Sequence, residues 1–279
     1  MSDKYPGESG RRRFVKGVVG SATLASVGTG AAASIEVTTA STGQGGGITQ
    51  YKAIENTAGP APRGMPMVPI EIDGDGFIKG VWPDLQTVNE GGQEITVART
   101  DDFKGSGTTY SSAWFQYCGV QTYEGIQPEF ESDNYFKAST GTYDWQDEVY
   151  SKGDRLNIAD FADYEEWGNG IGRSGIGKPG IATWRSEGTE STVPVQILRS
   201  ARIEEMAAED PWVDAATDQG VMAWLDKCTH FCCVPAFKAY GDSGKFGAED
   251  RVYCQCHQSV YDPFSVQSTS FVALPRPDE

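Results

Sequence analysis

Two short runs near the C-terminal end hold nearly all of the residues able to ligate a soft or borderline metal. They are CTHFCC, residues 228–233, and CQCHQS, residues 254–259. Both histidines of the chain, His230 and His257, lie in these runs, as do five of its six cysteines. Two thiolates and two imidazoles suit a tetrahedral zinc ion. They equally suit a [2Fe–2S] cluster in which two histidines replace two cysteines on one iron, a replacement that raises the reduction potential. Zinc modules pair C-x₂₋₄-C with H-x₃₋₅-H. Here each run instead offers a cysteine followed closely by a histidine, Cys228-x-His230 and Cys254-x-x-His257. Two loops that each give one thiolate and one imidazole favour the two-iron unit. Cys233 and Cys256 remain, one in each run.

The runs resemble the two cluster-binding boxes of Rieske iron–sulfur proteins, of the disulfide-containing type found in cytochrome bc-type quinol oxidoreductases. That pattern is C-T-H-x-G-C followed by C-x-C-H-x-S-x-Y. The resemblance implies that Cys228 and Cys254 are the cluster cysteines and that His230 and His257 are the exposed cluster histidines. It further implies a disulfide between Cys233 and Cys256, and hydroxyls of Ser259 and Tyr261 that donate to the cluster sulfurs. Cys232 and Gln258 stand where the pattern has Gly, which leaves Cys232 as a thiol beside the disulfide. A Pro-rich loop that covers the cluster should follow the second box, where Pro263 and the Pro275–Pro277 tail are the prolines present. The implied activity is that of a quinol:electron-acceptor oxidoreductase subunit, akin to quinol–cytochrome c reductase. Its cofactor is one [2Fe–2S] cluster, and its partners are quinol, a cytochrome b-type membrane subunit and a cytochrome or small copper-protein acceptor. His257 is expected to meet the quinol, with His230 second.

The elements that must position these boxes come just before them. GIATWRS, VPVQILRS, the helix-like IEEMAAED and GVMAWLDKCTH follow the order of strands and helix that leads into the first box of bc-type proteins. The resemblance implies a mainly β fold, a Rieske-type antiparallel β-sandwich over 176–279, with a small cluster-binding subdomain at about 226–262. Residues 51–175 have no counterpart and are expected as a long extension packed on this head. They hold short β-like runs such as EITVAR and TTYSSAWFQYC, and IEI with FIKGVW reads as a hairpin. Cys118 is expected as a buried structural thiol.

At the other end, Arg11-Arg12-x-Phe14-x-Lys16 resembles a twin-arginine export signal, which implies the twin-arginine translocase as a partner. A charge-free stretch at 17–35 follows, about 28 Å long as a helix. It reads as a retained anchor or as a removed signal with a small-residue cleavage site; bc-type proteins resemble the first case. Residues 1–36 are thus expected as signal and membrane anchor, and 37–50, with three consecutive glycines, as a flexible hinge. The head is expected on the extracytoplasmic side of the cell membrane, in the respiratory chain, where disulfides persist.

A net charge of −16 and a pI near 4.5 make nucleic acid an unsuitable partner. This spread acidity resembles that of proteins from extreme halophiles, halophilic archaea among them. Gly170-x-Gly172-x-x-Gly175 matches a dinucleotide fingerprint in spacing, but the preceding YEEWGN is polar rather than a buried strand. Two other functions compete: the small Rieske subunit of an arsenite-oxidase-like complex, which has the same boxes, disulfide and export signal but is usually more compact, and a Rieske ferredoxin of an oxygenase, which feeds a non-haem iron and has no counterpart of the Cys233 and Cys256 pair.

Overall fold

The computed structural model describes residues 46–90 and 93–276. The expected export signal and anchor, and most of the expected hinge, lie outside the described residues. Among the described residues, no helix is long and apolar enough to cross a membrane.

The structure is mainly β, with antiparallel sheets, a curled half-barrel and little helix. Its strands in chain order are β1 (Gly47–Ala58), β2 (Met65–Val68), β3 (Ile70–Ile72), β4 (Ile78–Gly80), β5 (Leu85–Glu90), β6 (Gln93–Thr100) and β7 (Tyr110–Ser111). They continue as β8 (Lys137–Ala138), β9 (Lys178–Trp184), β10 (Val193–Arg199), β11 (Val221–Leu225), β12 (Ala236–Phe237), β13 (Val252–Cys254) and β14 (Ser259–Ala273). Among the described residues, three short α-helices join them: α1 (Asp144–Val149), α2 (Ala201–Glu209) and α3 (Pro211–Ala216). The main sheet has nine strands in the order β12-β13-β14-β1-β2-β11-β10-β9-β8.

β9, β10 and β11 form where sequence reading expects strands. VMAWL in β11 is buried at every residue, the pattern of a strand covered on both faces. Ser200 caps α2 by accepting from the Arg202 N–H, and Asp210 caps α3 with Pro211 at its first turn. β3 and β4 make the expected hairpin, closed by Asp73 Oδ1, which accepts from the N–H groups of Asp75 and Phe77.

TTYSSAWFQYC differs from its expected strand. Only Tyr110–Ser111 pair, because the Ser111 side chain accepts from the Ala113 N–H and starts a 3₁₀ turn. That turn carries Trp114 and Phe115 into the core, where Trp114 meets Trp212 at 5.1 Å and Phe115 meets Trp184 at 5.7 Å between ring centroids. β1, β2 and β8, all from the first 175 residues, are strands of the main sheet itself. β1 begins at Gly47, within the segment expected as a hinge.

Candidate metal centre

The first box leaves β11 and returns at β12 without regular structure between them. It closes on itself through the Cys228 N–H to the Cys233 carbonyl at 2.7 Å and the Cys232 N–H to the Cys228 carbonyl at 3.1 Å. The second box is a four-residue turn from β13 to β14, with Cys254 paired to Ser259 and the Gln258 N–H on the Cys254 carbonyl at 2.9 Å. Cys232 and Gln258, the two departures from the resembled pattern, have φ of 63° and 59°. Both adopt the left-handed backbone that glycine takes without a Cβ penalty, so the turn survives the substitution.

Cys228 and Cys254 are buried, and they are the free cysteines among the described residues. They share a hydrogen bond, and it is the largest cause holding the Cys228 thiol down at about 5. The Tyr261 hydroxyl, 3.1 Å from Cys228 Sγ, and the N–H groups of His230 and Phe231 add to it and outweigh burial. Cys254 is pushed up, because it keeps the shared proton and is buried, although the N–H groups of Cys256 and His257 point at it. N–H groups from both boxes and the Tyr261 hydroxyl thus converge on the two sulfurs.

The imidazoles of His230 and His257 stand beside each other, 4.8 Å between centroids at 86°. His257 is exposed and His230 half-buried. His230 Nδ1 is buried with no hydrogen-bond partner. A buried polar atom left unpaired, two residues along the loop from the buried Cys228, is open to a ligand. Cys233 and Cys256 are joined by a disulfide that ties the two boxes together. The Sγ atoms of Cys233, Cys254 and Cys256 lie within 4.8 Å of one another. Two of these are bonded to each other and offer no thiolate, so they make no three-cysteine site. Cys228, Cys254, His230 and His257 are the residues of the two boxes left with a free thiol or an imidazole.

Ser259 and Tyr261 are fully buried beneath the boxes. Tyr261 Oη also accepts from the Thr229 N–H at 3.2 Å. Ser259 Oγ accepts from the Ala61 N–H at 3.2 Å, which leaves its own proton free to be donated.

That last bond introduces a segment sequence reading missed. Residues 59–63, Gly-Pro-Ala-Pro-Arg, pack on both boxes. Gly59 has φ of +84°, and a Cβ there would stand 2.5 Å from the Gln258 carbonyl oxygen and the Ser259 Cα. At the other end, the Arg63 carbonyl accepts from Thr229 Oγ1 at 2.6 Å. The proline-bearing segment that touches both boxes thus precedes them in the chain, whereas Pro263 is a residue of β14 and Pro275 packs beside Gly46. The signal was present in the sequence: two prolines at i, i+2 inside a glycine frame, a stiff extended segment that approaches other backbone closely.

Two further findings depart from expectation. Cys118 and Cys232, expected as a buried thiol and a leftover thiol, are joined in a second disulfide. Asp226, two residues before Cys228, is fully buried with neither carboxyl oxygen paired, and burial holds its pKa well above the usual carboxylate range. No protein family, curated protein or solved structure matches the chain.

Proposed function

We propose that the chain is the Rieske-type electron-transfer subunit of a membrane quinol oxidoreductase of the cytochrome bc type. The observation that carries this reading is the pairing of two loops, each with one buried free thiol and one imidazole, across the Cys233–Cys256 disulfide. Cys228 and Cys254 would hold one iron, and His230 and His257 the other. Bound there, a [2Fe–2S] cluster supplies a one-electron couple whose potential histidine ligation raises.

The chain's own residues do the rest. N–H groups of His230, Phe231, Cys256 and His257, with the Tyr261 hydroxyl, stabilise negative charge on the two sulfurs. His257, exposed at the tip, presents an imidazole that accepts the hydroxyl proton of a quinol. Burial of Ser259 and Tyr261 keeps water from competing for the sulfurs. Two disulfides suit an oxidising compartment, in line with a head on the outer side of the membrane, next to a cytochrome b-type subunit and a soluble cytochrome or copper-protein acceptor.

The test is to load the full chain with iron and sulfide and mix it without oxygen with a short-chain quinol. The expected result is reduction by a single electron per chain. A loaded chain that quinol leaves oxidised at every pH would contradict the reading.

A further inference from the structure

The first box is an irregular loop held by polar contacts, the Cys233–Cys256 disulfide and the burial of Cys228. It has no strand or helix between β11 and β12, and its Phe231 and Val234 side chains are 66% and 44% exposed. Burial of apolar surface therefore anchors Cys228 but not the tip that carries His230, so other contacts must act. Three of them come from one place in the 3₁₀ region after β7. The Tyr117 hydroxyl donates to the Lys227 carbonyl at 2.9 Å. Cys118 Sγ lies 3.6 Å from the Cys228 carbonyl oxygen, a packing contact, since a disulfide sulfur has no proton to give. The Cys118–Cys232 disulfide then bonds the loop itself to this region, across 114 residues of sequence.

The far end of the tether is rigid. Tyr117 is buried, its ring lies against Phe271, and the Arg63 guanidinium sits 5.2 Å from its centroid. Gln116 next to it exchanges hydrogen bonds with Leu274, beyond the end of β14. Cys118 and Gly119 follow with φ of 55° and 81°, two successive left-handed residues that turn the chain at this point. Adjacent cysteines in the loop therefore lead in different directions: Cys232 to the core and Cys233 to the second box.

We propose that Tyr117 and Cys118 are positioning residues for the first box, setting the ligand spacing of Cys228 and His230 before a metal group arrives. The proposal rests on the two-iron reading for its consequences, but not for its geometry. Without the core tether, the loop keeps its link to the second box and the Cys228 and Thr229 contacts at its root, and loses the bond that holds Cys232 beside the 3₁₀ region.

The experiment uses the full chain as the pair variant Cys118→Ser with Cys232→Gly, and separately as Tyr117→Phe. Glycine suits the left-handed backbone at 232, so the pair removes the disulfide without adding backbone strain. Amide hydrogen exchange over 227–233 is measured in iron-free and iron-loaded protein, with the EPR spectrum and midpoint potential of the loaded forms. Expected are exchange about tenfold faster in the pair variant, a smaller increase in Tyr117→Phe, and broadened EPR lines with a shifted potential while iron is retained. Wild-type exchange, spectrum and potential in both variants would overturn the proposal. If the wild-type chain holds no iron, the two-iron reading fails, and exchange in the iron-free protein still decides the tether. If the pair variant does not fold, Tyr117→Phe decides it.

Discussion

Tyr261 shows what a single side chain does here. Its hydroxyl donates to Cys228 Sγ at 3.1 Å and its oxygen accepts from the Thr229 N–H at 3.2 Å. Burial, with the nearby Cys228, raises its pKa, so it remains a proton donor throughout the working range. A hydrogen bond to a charged group contributes about 1.5–3 kcal/mol. With a cluster bound as proposed, it would strengthen as the sulfurs gain charge on reduction, and each 1.4 kcal/mol felt by the reduced state alone is about 59 mV for one electron. Tyr261→Phe should therefore lower the midpoint potential by on the order of 60 mV with the cluster still assembled; an EPR-monitored redox titration reads it. An unchanged potential would mean the hydroxyl does not reach the cluster sulfurs. At this scale the ligand candidates were legible, because metal-binding residue types gathered in two runs are rare by chance. The partner of Cys118 was not. Cysteine pairing depends on Cα separation and side-chain direction, and Cys118 and Cys232 are 5.3 Å apart in space but 114 residues apart in sequence.

Among the elements, the glycine-rich segment after Trp167 has a role its spacing did not announce. A Cβ at Gly172 would stand 2.3 Å from Asp250 Oδ1, and one at Gly175 would stand 2.4 Å from the Glu165 carbonyl oxygen. Gly172 allows close packing against the turn before β13, and Gly175 against the backbone of Glu165. Asp250 there accepts from the Arg173 N–H and side chain and from Lys238, whose ammonium is fully buried. Burial pushes the Asp250 pKa up, but these hydrogen bonds outweigh it and hold the carboxyl below its usual range. A lowered folded pKa gives stability that is complete above the unfolded value, about 3.9, and is lost as pH falls through the folded one. Asp250→Asn should cost about 3–5 kcal/mol at neutral pH, because it strands the Lys238 charge. It should also flatten the acid loss of stability below about pH 4. Urea unfolding from neutral to acid pH checks both, and a variant with the wild-type profile would contradict this role. Fingerprint spacing alone could not separate this packing loop from a dinucleotide-binding loop. What separated them was the polar run before it, where a buried strand would be needed.

The whole molecule places the site far from where its chain enters. β1 pairs with β14 from Gly47↔Ala273 to Ala58↔Val260, so one long strand pair runs from the first described residues to the boxes. At about 3.3 Å per residue, its span is about 36 Å. This pairing joins residues more than 200 positions apart, and no local pattern could have shown it. Alternation and β-branched content made individual strands readable, whereas their neighbours are set by long-range packing. For the same reason residues 51–175, which have no counterpart in the resembled pattern, did not show which strands they add to the central sheet, and the stiff Gly59–Arg63 segment did not show that it packs on the boxes.

Cys228, Cys254, His230 and His257 are proposed to hold together a two-iron, two-sulfide cluster. The most direct measurement is iron, zinc and acid-labile sulfide content of the purified full chain, taken with its EPR spectrum after reduction. A [2Fe–2S] site predicts iron and sulfide in equal amounts and a signal that appears on reduction. It also predicts loss of both in Cys228→Ser, Cys254→Ser, His230→Ala and His257→Ala. Stoichiometric zinc without iron in the wild-type chain, bound at these residues and silent in EPR, would contradict it.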